Sequence, residues 1–101
     1  MGRGDPTVPV VEGWTMLAVA AGATSRVTVG PFVLNVMNRH PALVARMAST
    51  LHIASGGRLV LGIGIGGAPR EHEAYGIDFP AASERVARLE EAVAVIRALW
   101  T

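Results

Sequence analysis

RVTVGPFVLN (residues 26–35) and RLVLGIGIG (residues 58–66) decide the fold. The first is dominated by valine, with threonine, phenylalanine and leucine, types that fit a pleated and half-buried surface. The second carries Leu59, Val60, Leu61, Ile63 and Ile65, apolar on both faces as a central parallel strand requires. Gly30 and Pro31 interrupt the first stretch, and because proline has no N–H for the ladder, the pair predicts a bulge near the strand's far end.

Between the strands, Pro41 suits the first turn of a helix, where its missing N–H costs nothing. Leu43, Val44, Met47 and Leu51 then form one apolar face, and Gly56 and Gly57 stop the helix. Upstream, residues 12–23 read as a helix on Trp14, Leu17 and Ala21, weakened by Gly13 and Gly22 and ended by Thr24 and Ser25. Its apolar run 16–23 is shorter than the roughly 20 residues of a membrane span. Asp5 and Glu12 stand where a secretory signal would be basic, so a buried amphipathic helix is expected. Residues 1–11, with Gly2, Gly4, Pro6 and Pro9, read as loop.

Downstream, residues 68–79 read as a polar connection and Pro80 with Ser83 as a helix start. Val86, Leu89, Val93, Ile96 and Trp100 follow at helical steps, with Glu84 and Arg88 one turn apart on the other side. Helix, strand, helix, strand, helix is the order of α/β units with adjacent parallel strands, the helix of residues 41–55 crossing over between them. Two strands do not supply the cover such a sheet needs on both faces.

The 101 residues hold one small domain at most, and with half of them hydrophobic and 17% charged they exclude a disordered tail. Nine arginines and no lysine are scattered through a chain of net charge +1, which argues against a nucleic-acid footprint; the preference for arginine reads as compositional bias. The absence of cysteine excludes disulfides, thiolate metal sites and cysteine nucleophiles, and fits a cytoplasmic protein.

The glycines Gly62, Gly64, Gly66 and Gly67 have two readings: they relieve crowding within the sheet, or they admit a planar or phosphorylated ligand to the backbone. Asn35, at a strand's carboxyl end, is a turn former or a ligand contact. His40 caps the following helix in preference to a catalytic role. Arg70, Glu71, His72, Glu73 and Asp78 read as a solvated loop, their spacing being wrong for a metal site. His52 complements a helix end, the adjacent Glu90 and Glu91 do not share a face, and no triad or metal site stands out. A dinucleotide fingerprint needs a helix opening inside the glycine run, where Pro69 and a polar loop follow instead.

Taken together, EGWTMLAVAAGATSR, VTVGPFVLNVMNRHPALVARMAS, SGGRLVLGIGIGGAPREHEAYGIDF and ERVARLEEAVAVIRALW resemble, in order and spacing, the luciferase-like oxidoreductases. That family includes bacterial luciferase, flavin monooxygenases and enzymes of the deazaflavin coenzyme F-420. The resemblance implies an α/β fold that is a fragment of a (β/α)₈ TIM barrel. About two βα units with parallel strands are present, and residues 1–101 run from the second helix to the helix after the fourth strand. It implies FMN or the deazaflavin F-420 as cofactor and a small organic substrate, with Phe32, Val33, Asn35, Gly64, Gly66 and Gly67 as cofactor-binding residues. It also implies a cis peptide between Phe32 and Val33.

Gly64 and Ile65 stand where bacterial luciferase has a cysteine and a basic residue, so the resemblance does not extend to light emission. Gly67 and Arg70 stand where several sugar-phosphate deazaflavin enzymes have glutamate and asparagine. No catalytic acid or base is implied. With about two of eight βα units, the chain is expected to be inactive alone and to self-associate through open strand edges. A non-enzymatic truncated product or interaction module, and a dinucleotide-binding βαβ fragment, are the alternative readings.

Overall fold

A computed structural model describes residues 11–100, in the order α1 (Gly13–Ala23), β1 (Leu34–Asn35), α2 (Pro41–Ala54), β2 (Ile63–Gly64), α3 (Pro69–Tyr75) and α4 (Ala82–Trp100). The loop expected for residues 1–11 lies, apart from Val11, outside the described residues. β1 and β2 pair in parallel, Leu34 with Ile63 and Asn35 with Gly64, and an isolated parallel bridge joins Val29 to Leu59. The expected adjacent parallel strands and crossover helix are therefore present, but the regular ladder is short.

Its interruption can be counted. From Val29 to Leu34 the first strand advances five residues, whereas from Leu59 to Ile63 the second advances four. The first strand thus carries one extra residue, which is a bulge at the place Gly30 and Pro31 predict. On either side the hydrogen bonds resume: Val29 donates to the Arg58 carbonyl and Val60 to the Val29 carbonyl, then Leu34 to Gly62 and Val36 to Gly64, each at 2.9 Å.

One face of the sheet is covered. Leu34 packs with Val44, Ala45 and Ile96 from α2 and α4, and Leu61 and Ile63 join them. Val29 packs with Ala21 and Leu51, against which Trp14, Leu17 and Leu59 lie. Burying each Val, Leu or Ile side chain here contributes about 1.5–3 kcal/mol. The molecule is 17 Å thick along its shortest axis, room for one helix layer on one strand layer. The other face is open, with Phe32 at 101% and Val60 at 62% relative exposure.

Three expectations need correction. The second strand is not buried on both faces as a central strand is: Leu59, Leu61 and Ile63 face the helices, while Val60 is exposed on the other face and Gly62 and Gly64 abut the first strand's bulge. The inner face of α2 is Val44, Ala45, Ala48 and Leu51, with Leu43 half exposed; the two alanines let α4 approach, and Trp100 Nε1 donates to the Ala45 carbonyl at 3.2 Å. In α4 the fully buried positions are likewise Ala92 and Ile96, while Val86 is exposed. The first helix is not a buried one: α1 contributes only Ala21 to the core, and Met16 and Val19 are exposed.

Helix ends follow local chemistry. His40 is the N-cap of α2, its Nδ1 accepting from the Ala42 N–H at 3.0 Å, as expected in preference to catalysis. Gly56 and Gly57, at φ 72° and 84°, close α2 with a Schellman motif: Gly57 N–H donates to the His52 carbonyl and Gly56 N–H to that of Ile53. At the other end of the same region Arg58 receives five acceptors. Its guanidinium donates to the carbonyls of Ala21, Thr24, Val27 and Ser55 and to the Thr24 hydroxyl, at 2.6–3.1 Å, tying the end of α1 to the end of α2. Arginine here is a structural necessity and not compositional bias, since a lysine ammonium has three donors on one atom. Arg58→Lys is accordingly expected to lower stability by about 1–3 kcal/mol in urea unfolding.

Glu12 caps α1. Its carboxylate accepts from the Thr15 hydroxyl at 2.7 Å, the Thr15 N–H at 2.8 Å and the Trp14 N–H at 3.1 Å, and pairs with Arg39 at 2.8 Å. These contacts, the Thr15 hydroxyl first, hold its carboxyl down from an ordinary 4.5 to about 2. Because the folded value is the lower one, the stabilisation is complete above about pH 4.5 and is lost as pH falls from there toward about 2. Helical circular dichroism across that window should fall in the native chain and stay flatter in Glu12→Gln.

Candidate functional site at the carboxyl end of the strands

The bulge gives this end its shape. Val33 and Asn35 lie over the second strand, and the glycines beneath them leave the space they need. A Cβ on Gly64 would stand 2.7 Å from Val33 Cγ2, and one on Gly66 would stand 2.6 Å from Asn35 Oδ1. Gly62 and Gly30 face the carbonyls of Pro31 and Val60 just as closely. Gly66 also adopts φ 82°, a left-handed conformation that strains any other residue. Four glycines of the two strand segments are thus required by packing within the sheet. Gly67 differs, for nothing lies within 4 Å of where its Cβ would be, and it is exposed.

The six residues implicated as cofactor-binding gather around this end. The Phe32–Val33 peptide is cis, with Phe32 fully exposed and Val33 half exposed beside the glycine track. Asn35 sits between Gly66 and His72. Gly64 and Gly66 are half buried under Val33 and Asn35, and Gly67 continues the track into solvent.

Residues 68–79 are not the solvated loop expected. Pro69 at the first helical position and Gly76 at φ 68° bracket the helix α3, which carries His72 inward to 3% exposure. Pro69 and Gly76 were the readable signal, since proline opens and glycine closes helices. His72 Nε2 is 2.9 Å from Asn35 Nδ2, and its Nδ1 is 3.2 Å from the Asp78 carbonyl. Its ring meets Phe79 edge-on at 4.6 Å, and the Arg85 guanidinium lies over that ring at 4.1 Å. Arg85 also donates to the carbonyls of Ile65, Gly66 and Pro80 at 3.3, 3.1 and 2.9 Å. A closed circuit results: Asn35, His72, Phe79, Arg85, then Gly66, which abuts Asn35. Sequence reading placed His72 in a solvated loop and did not single out Phe79 or Arg85, because the partner that buries His72, Asn35, is remote in the chain. Among the described residues no cluster of histidine or acid side chains could hold a metal ion.

Two apolar clefts, of about 610 and 480 Å³, lie elsewhere. One opens between α2, α4 and the covered face of the sheet, the other between α1 and α2, and none of the six residues lines either.

Residues 2–101 match the luciferase-like monooxygenases, and the chain belongs to that family. It is 47% identical over 91 residues to the phthiodiolone/phenolphthiodiolone dimycocerosates ketoreductase of Mycobacterium tuberculosis (strain ATCC 25618 / H37Rv), covering 88% of this chain and 23% of that protein. It is 40% identical over 86 residues to the F420-dependent glucose-6-phosphate dehydrogenase of Amycolatopsis mediterranei (strain U-32), covering 84% and 26%. The crystal structure of monooxygenase RslO1 from Streptomyces bottropensis superposes with a TM-score of 0.72 at 38% identity, over 86% of this chain and 26% of that one. The chain spans about a quarter of the length of these relatives. No helix among the described residues is long and apolar enough to cross a membrane.

The glycines can be separated by stability alone. Gly66→Ala is expected to cost about 1–3 kcal/mol in urea unfolding, from backbone strain and the contact with Asn35. Gly67→Ala should change stability by less than about 0.5 kcal/mol.

Proposed function

We propose that residues 1–101 are part of a (β/α)₈ barrel, from its second helix through the helix after its fourth strand, of a cytoplasmic flavin- or deazaflavin-dependent oxidoreductase. The observation that carries this reading is the surface left by Phe32, Val33 and Gly67. Phe32 and Gly67 are not covered by the chain's own packing and Val33 is half exposed. Phe32 and Val33 lie in the bulge that leads into β1 and Gly67 follows β2, beside the carboxyl ends of parallel strands, where α/β folds bind ligands. Family membership and the dependence on F420 of one relative support it.

The residues fit such a group. Phe32 and Val33 offer an apolar surface to a planar ring, Gly67 leaves its backbone open to close approach, and Asn35 brings an amide to the same edge. When bound, FMN or the deazaflavin F-420 supplies two-electron redox chemistry toward a small organic substrate. The chain's own part is to support and orient it. Asn35 retains one N–H and one lone pair beyond its bonds to His72 and Met37. No acid or base is assigned.

The open sheet face and the two apolar clefts are surfaces on which further βα units would pack. The chain alone is therefore expected to self-associate and to lack turnover.

Fluorescence titration tests the site. FMN or the deazaflavin F-420 is expected to bind in preference to NAD(P), and Gly67→Val to weaken binding about tenfold, the equivalent of about 1.4 kcal/mol, without moving the unfolding midpoint. Preference for NAD(P), or unaltered flavin affinity in Gly67→Val, would overturn the assignment.

A further inference from the structure

We infer that His72 is a positioning residue: it fixes the orientation of the Asn35 amide, and so decides which of that amide's atoms face a bound ligand. The inference rests on the cofactor reading of Asn35 for its functional meaning, but its geometry stands on the fold.

The reasoning begins at two groups whose chemistry allows no choice. The Met37 N–H can only donate, and it lies 2.9 Å from one end of the Asn35 side chain, so that end is the oxygen Oδ1. The other end is therefore Nδ2, which donates to His72 Nε2 at 2.9 Å. Nε2 must then be the bare, accepting nitrogen. At the far side of the ring, Nδ1 is 3.2 Å from the Asp78 carbonyl, which can only accept, so Nδ1 carries the hydrogen. The donors run one way from Asn35 through His72 to Asp78, and a reversal at any point sets two donors or two acceptors face to face.

Burial gives this order its force. His72 is 97% buried, and the pressure of Phe79 and Arg85 behind it holds the ring plane. Gly66 closes the opposite side of the amide. With one hydrogen of Nδ2 and one lone pair of Oδ1 committed, the remaining N–H and lone pair of Asn35 are presented in a single fixed sense. An asparagine free to turn would offer a ligand either arrangement. His72 touches no reacting atom; it acts through Asn35.

The experiment is heteronuclear NMR on the full isotope-labelled chain, with FMN titration. In the wild type the His72 ring is expected to be protonated at Nδ1 and bare at Nε2, with slowed exchange of the Asn35 amide hydrogens. His72→Phe keeps the ring's bulk and should abolish that protection. His72→Gln, whose carbonyl can accept from Asn35 while its amide donates to Asp78, should restore it. FMN affinity should fall about tenfold in His72→Phe and about twofold in His72→Gln, in line with loss and recovery of one oriented hydrogen bond. Arg58→Lys, a destabilising change remote from the amide, should alter neither readout, which separates positioning from general loosening.

An Nε2–H tautomer in the wild type overturns the inference, as does equal Asn35 protection, or equal FMN affinity, in wild type and His72→Phe. If His72→Phe fails to fold, the wild-type tautomer and the His72→Gln comparison still decide. If the wild-type chain binds neither FMN nor the deazaflavin while tautomer and protection are as described, the cofactor reading falls and the orientation of Asn35 by His72 is upheld.

Discussion

Between Val29 and Leu34 the first strand has one residue more than the stretch of the second strand it pairs with. That surplus must go somewhere, and it goes across the face of the neighbouring strand. Val33 and Asn35 are pushed over positions 64 and 66, where only glycine leaves room. The bulge and the glycine track are therefore one device. Neither half tolerates change without the other, and the open edge of the sheet takes its form from their fit.

A second constraint is the supply of donors to carbonyls that the short ladder leaves without partners. Two residues of regular pairing satisfy little backbone, and the ends of α1, α2 and β2 would otherwise present bare acceptors. Arg58 collects those where α1 and α2 end, and Arg85 those where β2 ends and α4 begins. In each case a planar group with several divergent donors reaches carbonyls on different elements at once, which an ammonium does not. Arg85 does a further thing by stacking on Phe79, since this sets the wall against which His72 is packed.

Much of the frame was legible in the sequence. Valine content and glycine stops placed both strand segments and α2, Pro31 placed the bulge, and His40 before Pro41 was read as a cap. These are local signals, carried by the residue's own geometry or its near neighbours. The helix faces were less legible. Hydropathy ranks Leu43 and Val86 above Ala45 and Ala92, but where α2 and α4 approach, Ala45, Ala48 and Ala92 are buried beside Val44 and Ile96, while Leu43 and Val86 lie on the flank. α3 and the burial of His72 were missed for another reason. A seven-residue stretch with three charged residues looks solvated until Asn35, 37 positions away, and Phe79 supply its partners. Nothing in the spacing of residues 69–78 encodes those contacts.

The glycines show how the two halves of a site reading come apart. Crowding and ligand access were alternatives when only the sequence was considered, and the structure divides them by position. Gly30, Gly62, Gly64 and Gly66 are accounted for by atoms of the chain itself, so their being glycine carries no separate testimony about a ligand. Asn35 is half accounted for, with part of its amide engaged by Met37 and His72. Phe32 and Gly67 are not accounted for at all: an aromatic ring stands wholly exposed, and an open backbone lies where a side chain would meet nothing. The residues that the packing leaves over are thus the ones on which the proposed cofactor reading rests, with Asn35 between the part that builds the fold and the part that faces outward.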